Sequence, residues 1–205
     1  MPNVFIGLDG EMTGNNVSEG HALCQVGVYF PDEDQRVTYD IGHPFPTQYQ
    51  DRALAVNGFT MDRVHTLYEE GHNQYYADNR LVEECVRRWG SGRHDTPYPE
   101  TRLVPVGWNV GAFDMPFVRK YLPRFSEWVS RRTVDLNAVV FSMEGIEADG
   151  GVPTWKGWKR KSKRHAEQLL LRAGEPVMWH DAGFDAEAAY YSWNYLRGVM
   201  HGGAA

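Results

Sequence analysis

The chain begins with an apolar run, Val4-Phe5-Ile6-Gly7-Leu8, that passes directly into Asp9-Gly10-Glu11-Met12-Thr13. A short apolar run of this kind predicts a buried strand. Residues 23–30 are apolar and rich in β-formers, and residues 36–41 read as their partner across the turn chemistry of Pro31-Asp32-Glu33-Asp34. Together the three segments predict an antiparallel meander. Residues 51–56 predict a short helix, and 61–67 a second one behind Thr60 as its cap. Leu81, Val82, Cys85, Val86 and Trp89 recur at helical spacing, which predicts a helix over 79–89. Residues 103–106 and 132–136 predict a fourth and a fifth strand. Helices are expected at 114–121, 137–143, 164–173 and 185–196, with Pro116 tolerated because it falls in a first turn. Residues 90–101 and 145–153 carry Gly, Pro and Asp and read as loops. Three strands followed by strands alternating with helices predict an α/β fold, a mixed five-stranded sheet flanked by helices.

Composition narrows the class. A length of 205 residues fits one domain, 1–205, carrying a basic loop with glycine and tryptophan at about 145–165. The formal net charge of -6 argues against a protein that coats nucleic acid non-specifically, though a local basic patch remains compatible with it. Met1-Pro2-Asn3 lacks the basic start of a secretory signal, and no run approaches the length of a membrane span. Cys24 and Cys85 lie in apolar contexts and read as buried free thiols, which leads to the expectation of a cytoplasmic protein without membrane partners.

The candidate chemistry is acidic. Residues i and i+2 of a strand point to one face, so Asp9 and Glu11 project together. Like charges held so close raise each other's pKa unless a cation neutralises them, and hard oxygen ligands suit Mg²⁺ or Mn²⁺. A solvated strand end with two harmless acids explains the pair equally well. Asp114 follows Trp108-Asn109-Val110-Gly111-Ala112-Phe113 at the entry to a helix, where a carboxylate is more commonly a cap than a ligand. His180 precedes Asp185 by five residues, and histidine is the usual general base near neutral pH. Here too a surface imidazole and a helix-capping aspartate are the plain alternatives. Six Lys and Arg lie in 156–164, interleaved with Trp155 and Trp158. That mixture suits a single strand of nucleic acid, with phosphates on cations such as Lys159 and Lys161 and bases on the indoles. The competing reading is a solvated charged loop whose tryptophans pack back on the domain.

Taken in order, these pieces resemble the DEDDh, DnaQ-like family of 3′→5′ exonucleases within the ribonuclease H-like superfamily. The resemblance rests on Asp9-Gly10-Glu11, on Phe113-Asp114-Met115-Pro116-Phe117, and on His180 to Asp185, with Gln25-Val26-Gly27-Val28, residues 53–60 and Val134-Asp135-Leu136 as support between them. It spans roughly residues 4–196. The Glu11-Met12-Thr13-Gly14 form is similar to oligoribonucleases, whereas Asn15 stands where family members often carry a leucine, and 145–165 matches no close relative. The resemblance implies two-metal hydrolysis of a terminal phosphodiester with two divalent cations, Mg²⁺ or Mn²⁺. Asp9, Glu11 and Asp185 would bind the first and Asp9 with Asp114 the second, while His180 would take the proton from water. Met12, Thr13 and Asn57 would lie near the scissile nucleotide. The implied partner is the 3′ end of single-stranded RNA or DNA, with RNA mildly favoured and nucleoside 5′-monophosphates released. A DNA proofreading-type exonuclease, a non-catalytic binding module and a nucleotide phosphohydrolase are the alternatives. Relatives of this kind are often homodimers, so a homodimer is expected by analogy.

Overall fold

The computed structural model describes residues 3–90, 101–144, 154–174 and 176–202. Its centre is a five-stranded sheet of β1 (Asn3–Met12), β2 (Leu23–Phe30), β3 (Gln35–Asp40), β4 (Arg102–Gly107) and β5 (Val134–Asp135), in the order β3-β2-β1-β4-β5. β1, β2 and β3 pair antiparallel, as the meander predicts, while β4 and β5 run parallel to β1. The fold is therefore the expected mixed α/β sheet. β1 outruns its apolar stretch because the acidic residues keep pairing, Asp9 with Gly27 and Glu11 with Gln25. β5 is shorter than the five residues expected and covers only Val134–Asp135.

The two faces of β1 do different things. Ile6, Leu8 and Met12 point into the main core with Phe30, Leu81 and Phe117, side chains drawn from β2, α3 (Gln74–Trp89) and α4 (Asp114–Tyr121). Full burial of one such side chain is worth about 1.5–3 kcal/mol. The opposite face carries Gly7, Asp9 and Glu11 and is covered by α8 (Ala182–Met200). Glycine permits that close cover: a Cβ on Gly7 would fall 2.0 Å from the Ala186 carbonyl oxygen, and one on Gly27 would fall 2.0 Å from the carbonyl of Ala182. Backbone thus meets backbone where the first turns of α8 cross β1 and β2. Gln25 fixes this crossing, since its Oε1 accepts the Ala182 N–H at 2.7 Å while its Nε2 donates to Asp40 at 2.7 Å.

The remaining helices are α1 (Asp51–Asn57), α2 (Met61–Glu69), α5 (Pro123–Trp128), α6 (Leu136–Ser142) and α7 (Trp155–Arg172). Thr60 caps α2 as expected, accepting from the Arg63 N–H. α3 starts five residues earlier than its apolar spacing suggests, because Asn73 caps it by accepting from Tyr75 and Tyr76. α5, which follows α4 after Leu122, has no counterpart in the sequence reading; Asp78 of α3 holds its start through the N–H groups of Arg124 and Phe125. The largest difference lies in the basic segment. The expected loops at 91–100 and 145–153 fall outside the described residues, but 155–165 is helix and not loop. Thr154 caps α7 through the Gly157 N–H, and Trp158, Ser162, Ala166 and Leu170 form a buried stripe at helical spacing.

Candidate active site

Four carboxylates and one imidazole meet where three elements end. Asp9 and Glu11 project from the α8 face of β1. Asp185 lies in the first turn of α8, behind the N-cap Asp181. His180 adopts a left-handed φ of 70°, which a non-glycine residue takes up at a cost. That conformation aims its backbone N–H at Asp185 Oδ2, 3.1 Å away. Ligand atoms of Glu11, His180 and Asp185 all lie within 4.8 Å of one another. Asp114, at the start of α4, accepts the N–H of Gly10 at 3.0 Å, the peptide between the two acids of β1. A mid-chain aspartate that could have been a plain helix cap is thereby tied to the acidic strand.

The electrostatics follow from this crowding. Burial raises the Asp9 carboxyl well above the ordinary carboxylate range, and the charges of Asp114, Asp185 and Glu11 add to the effect. Glu11 is pushed up to about 8, first by burial and then by Asp185 and Asp114, against the opposing hydrogen bond of Asn57. Asp114 is also pushed up to about 8 by burial, against the stabilising Gly10 N–H. Burial raises Asp185 as well, while the His180 N–H and the positive charge of Lys163 pull it down. Such a group cannot ionise as a whole without cations. Asp185 Oδ1 is buried without a hydrogen-bond partner among the described residues. An unpaired buried carboxylate oxygen, set among oxygen donors and one imidazole, is the chemistry that Mg²⁺ or Mn²⁺ satisfies.

Beside the acids opens a cleft of about 300 Å³, lined by Glu11, Met12, Asn15, Arg52, Asn57 and Phe113 among others. A second cleft of about 360 Å³, around His43 and Tyr121, contains none of the four carboxylates. Of the residues expected to meet substrate, Met12 lines the first cleft but is 3% exposed, so mostly its edge is available. Asn57 lines it too, while its Nδ2 donates to the Met12 carbonyl at 3.0 Å and its Oδ1 accepts from Phe59. Thr13 is a correction: it is fully buried, its hydroxyl donating to the Gln48 carbonyl and accepting from the Ala22 N–H, so it braces the end of β1 and offers substrate no free hydroxyl.

The basic segment also divides differently from the expectation. Trp158 is fully buried and donates its indole N–H to the Met143 carbonyl, so no base can stack on it. Trp155 is half-buried. Lys159 donates to Asn137 Oδ1 at 3.0 Å and lies 4.7 Å above the Trp108 ring. At about 100° per residue, Lys161 sits on the far side of α7 from Lys159, and its ammonium lies over Trp158. Lys163, about 40° from Lys159, lies over Trp108 and Trp179 instead. From the sequence, Lys163 is only one of six cations, and Trp108, Trp179 and Gln25 have no expected site role. The helical stripe of Trp158, Ser162 and Ala166 was the signal that could have separated Lys163 from its neighbours.

No protein-family model and no curated protein matches the sequence. Solved structures do match. Exonuclease I of E. coli in complex with a dT13 oligonucleotide is similar at a TM-score of 0.59 and 16% identity, over 97% of this chain and 41% of that one. Exonuclease I from Methylocaldum szegediense matches at 0.58 and 17% identity, over 97% and 41%. A 3′-exonuclease described in 3′-end-specific recognition of the histone mRNA stem-loop matches at 0.52 and 12% identity, over 97% and 64%. The chain spans about two fifths of the length of the exonuclease I structures it matches. What these structures share with it is the fold.

Proposed function

We propose that this chain is a metal-dependent 3′→5′ exonuclease that hydrolyses the terminal phosphodiester of single-stranded nucleic acid and releases nucleoside 5′-monophosphates. The observation that carries the proposal is the convergence of Asp9, Glu11, Asp114, Asp185 and His180 from β1, α4 and the start of α8, with Asp185 Oδ1 unpaired. Asp9, Glu11 and Asp185 would hold one divalent cation, and Asp9 with Asp114 a second. When bound, the pair supplies charge stabilisation for the attacking and leaving oxygens of an in-line displacement. The residues of the chain do the rest. His180, exposed and beside Glu11 and Asp185, accepts the proton of the attacking water at a ring nitrogen. The water oxygen bonds to phosphorus as the bond to the 3′ oxygen of the preceding nucleotide breaks. The left-handed turn at His180 and its N–H bond to Asp185 keep base and carboxylate in one frame. Asn57, holding the Met12 carbonyl, keeps the end of β1 in register beside the cleft.

RNA is mildly favoured by the Glu11-Met12-Thr13-Gly14 pattern, to which Thr13 contributes by shaping the strand end. Similarity in fold to a structure holding dT13 supports DNA as the nearest rival. A panel of 5′-labelled short RNAs, DNAs and dinucleotides, incubated with Mg²⁺ or Mn²⁺, should give ladders that shorten from the 3′ end, stop with EDTA and vanish in Asp9→Asn protein. Failure of the wild-type chain to shorten any substrate with either metal would sink the proposal.

A further inference from the structure

Among the six cations between 156 and 164, Lys163 has a placement that the exonuclease reading has not used. It sits in the middle of α7, which Trp158, Ser162 and Ala166 anchor against the domain. Its ammonium lies 4.6 Å from the ring centroid of Trp179 and 5.7 Å from that of Trp108. Both indoles neighbour site-bearing segments in sequence: Trp179 directly precedes His180, and Trp108 follows the end of β4 on the way to Asp114. Trp179 is itself fixed edge-on against Phe184 of α8 at 5.1 Å. Aromatic faces attract an ammonium and restrict where it can go. Among the described residues Lys163 forms no ion pair within 4.0 Å, yet its charge is felt at Asp9 and Asp185. Lys159, one turn earlier, is occupied by Asn137, and Lys156, Arg160, Lys161 and Arg164 are exposed.

A phosphodiester approaching four carboxylates on a chain of net charge -6 meets repulsion that bound cations relieve only at the metal positions. We propose that Lys163 is a substrate-binding residue of this site: held between Trp108 and Trp179, next to the segment that carries His180, it presents its ammonium to the phosphate of the terminal nucleotide. The proposal rests on the exonuclease reading and adds a residue to it. Two consequences point in opposite directions. Removing the charge weakens the hold on an oligonucleotide, yet it strengthens the hold of the acids on a free divalent cation, because a competing positive charge has gone.

The test compares wild type with Lys163→Met, Lys163→Arg and Lys161→Met. Calorimetric titration of Mn²⁺ into nucleotide-free protein should show binding about three- to tenfold tighter in Lys163→Met. Steady-state hydrolysis of a short oligonucleotide should show KM raised about tenfold, with a shallower dependence on salt. Lys163→Arg should restore both values towards wild type, and Lys161→Met, on the far side of α7, should leave both unchanged. Wild-type values of either Mn²⁺ affinity or KM in Lys163→Met would overturn the proposal, as would equal effects in Lys161→Met. Failure of the underlying function looks different: a wild-type chain that hydrolyses nothing removes the exonuclease reading, while the Mn²⁺ titration still reports on Lys163.

Discussion

Without cations, the acidic site should make the protein less stable as pH rises through neutrality, and Glu11 gives the size of the effect. Its carboxyl moves from 4.5 to about 8 in the folded chain, chiefly through burial and then through the charges of Asp185 and Asp114. The folded state therefore keeps a proton that the unfolded state has released. More protons bound when folded means that stability falls as pH rises, from about 4.5 up to about 8. Between pH 6.5 and 8 the integrated loss for one such group is about 1.5–2 kcal/mol. Asp114, also raised to about 8, adds a similar amount, so the two together lose about 3 kcal/mol. Asp9 and Asp185, whose carboxyls burial also raises, act in the same direction. Burial lowers the pKa of His43 and His165 below 6.5, so their contribution runs the opposite way and lies mostly at the acid end of this window and below it, while the buried thiols of Cys24 and Cys85 are raised out of range on the alkaline side. At about 2–4 °C per kcal/mol, the Tm in EDTA should drop by roughly 6–12 °C between pH 6.5 and 8. Glu11→Gln should lose about half of that drop and be the more stable protein at pH 8. Millimolar Mg²⁺ or Mn²⁺ should flatten the slope, since a cation at a hundredfold excess over its Kd adds about 2.7 kcal/mol and binds better as protons leave. Thermal melts at four pH values, with EDTA or metal, decide the matter. A Tm in EDTA that is level or rises over this window, or a Glu11→Gln protein with the wild-type slope, refutes the reasoning.

Three further outcomes follow from the same geometry. His180→Ala should lower kcat by about 10²–10⁴-fold, with a melting curve in EDTA close to wild type because the imidazole is exposed; undiminished turnover would remove His180 as the base. Gly27→Ala places a Cβ 2.0 Å from the Ala182 carbonyl, backbone that has nowhere to retreat, and should cost about 1–3 kcal/mol or more in urea unfolding while reducing activity by shifting Asp185. Gln25→Leu leaves the Ala182 N–H and Asp40 without their shared partner, which should cost about 1–3 kcal/mol and speed hydrogen exchange at the start of α8; unchanged exchange there would show that Gln25 does not hold that turn.

The sheet and the shared face of the first two acids were legible because each rests on a short-range rule. Asp9 and Glu11 share a face through the two-residue period of a strand, and the structure adds only that β1 stays paired long enough to carry both. Asp114 and Asp185 needed order along the chain, since each alone reads as a helix cap; Asp181, four residues before Asp185, is in fact the cap of α8. Thr13 and Trp158 were misplaced because their types suit substrate contact, and only tertiary packing turns the hydroxyl toward Gln48 and Ala22 and the indole into the core. The basic segment was misread for a related reason. Six cations in nine residues look like a continuous track when charge is counted along the chain. On a helix the same residues point in all directions, and the buried stripe of Trp158, Ser162, Ala166 and Leu170 sets which of them turn toward Trp108. Counted from that stripe, Lys159 and Lys163 fall on the side of Trp108 and Lys161 does not. A run of like charge can therefore be divided into faces only after the apolar period beneath it has been found, and here that period puts Lys163 beside Lys159 and turns Lys161 away from both.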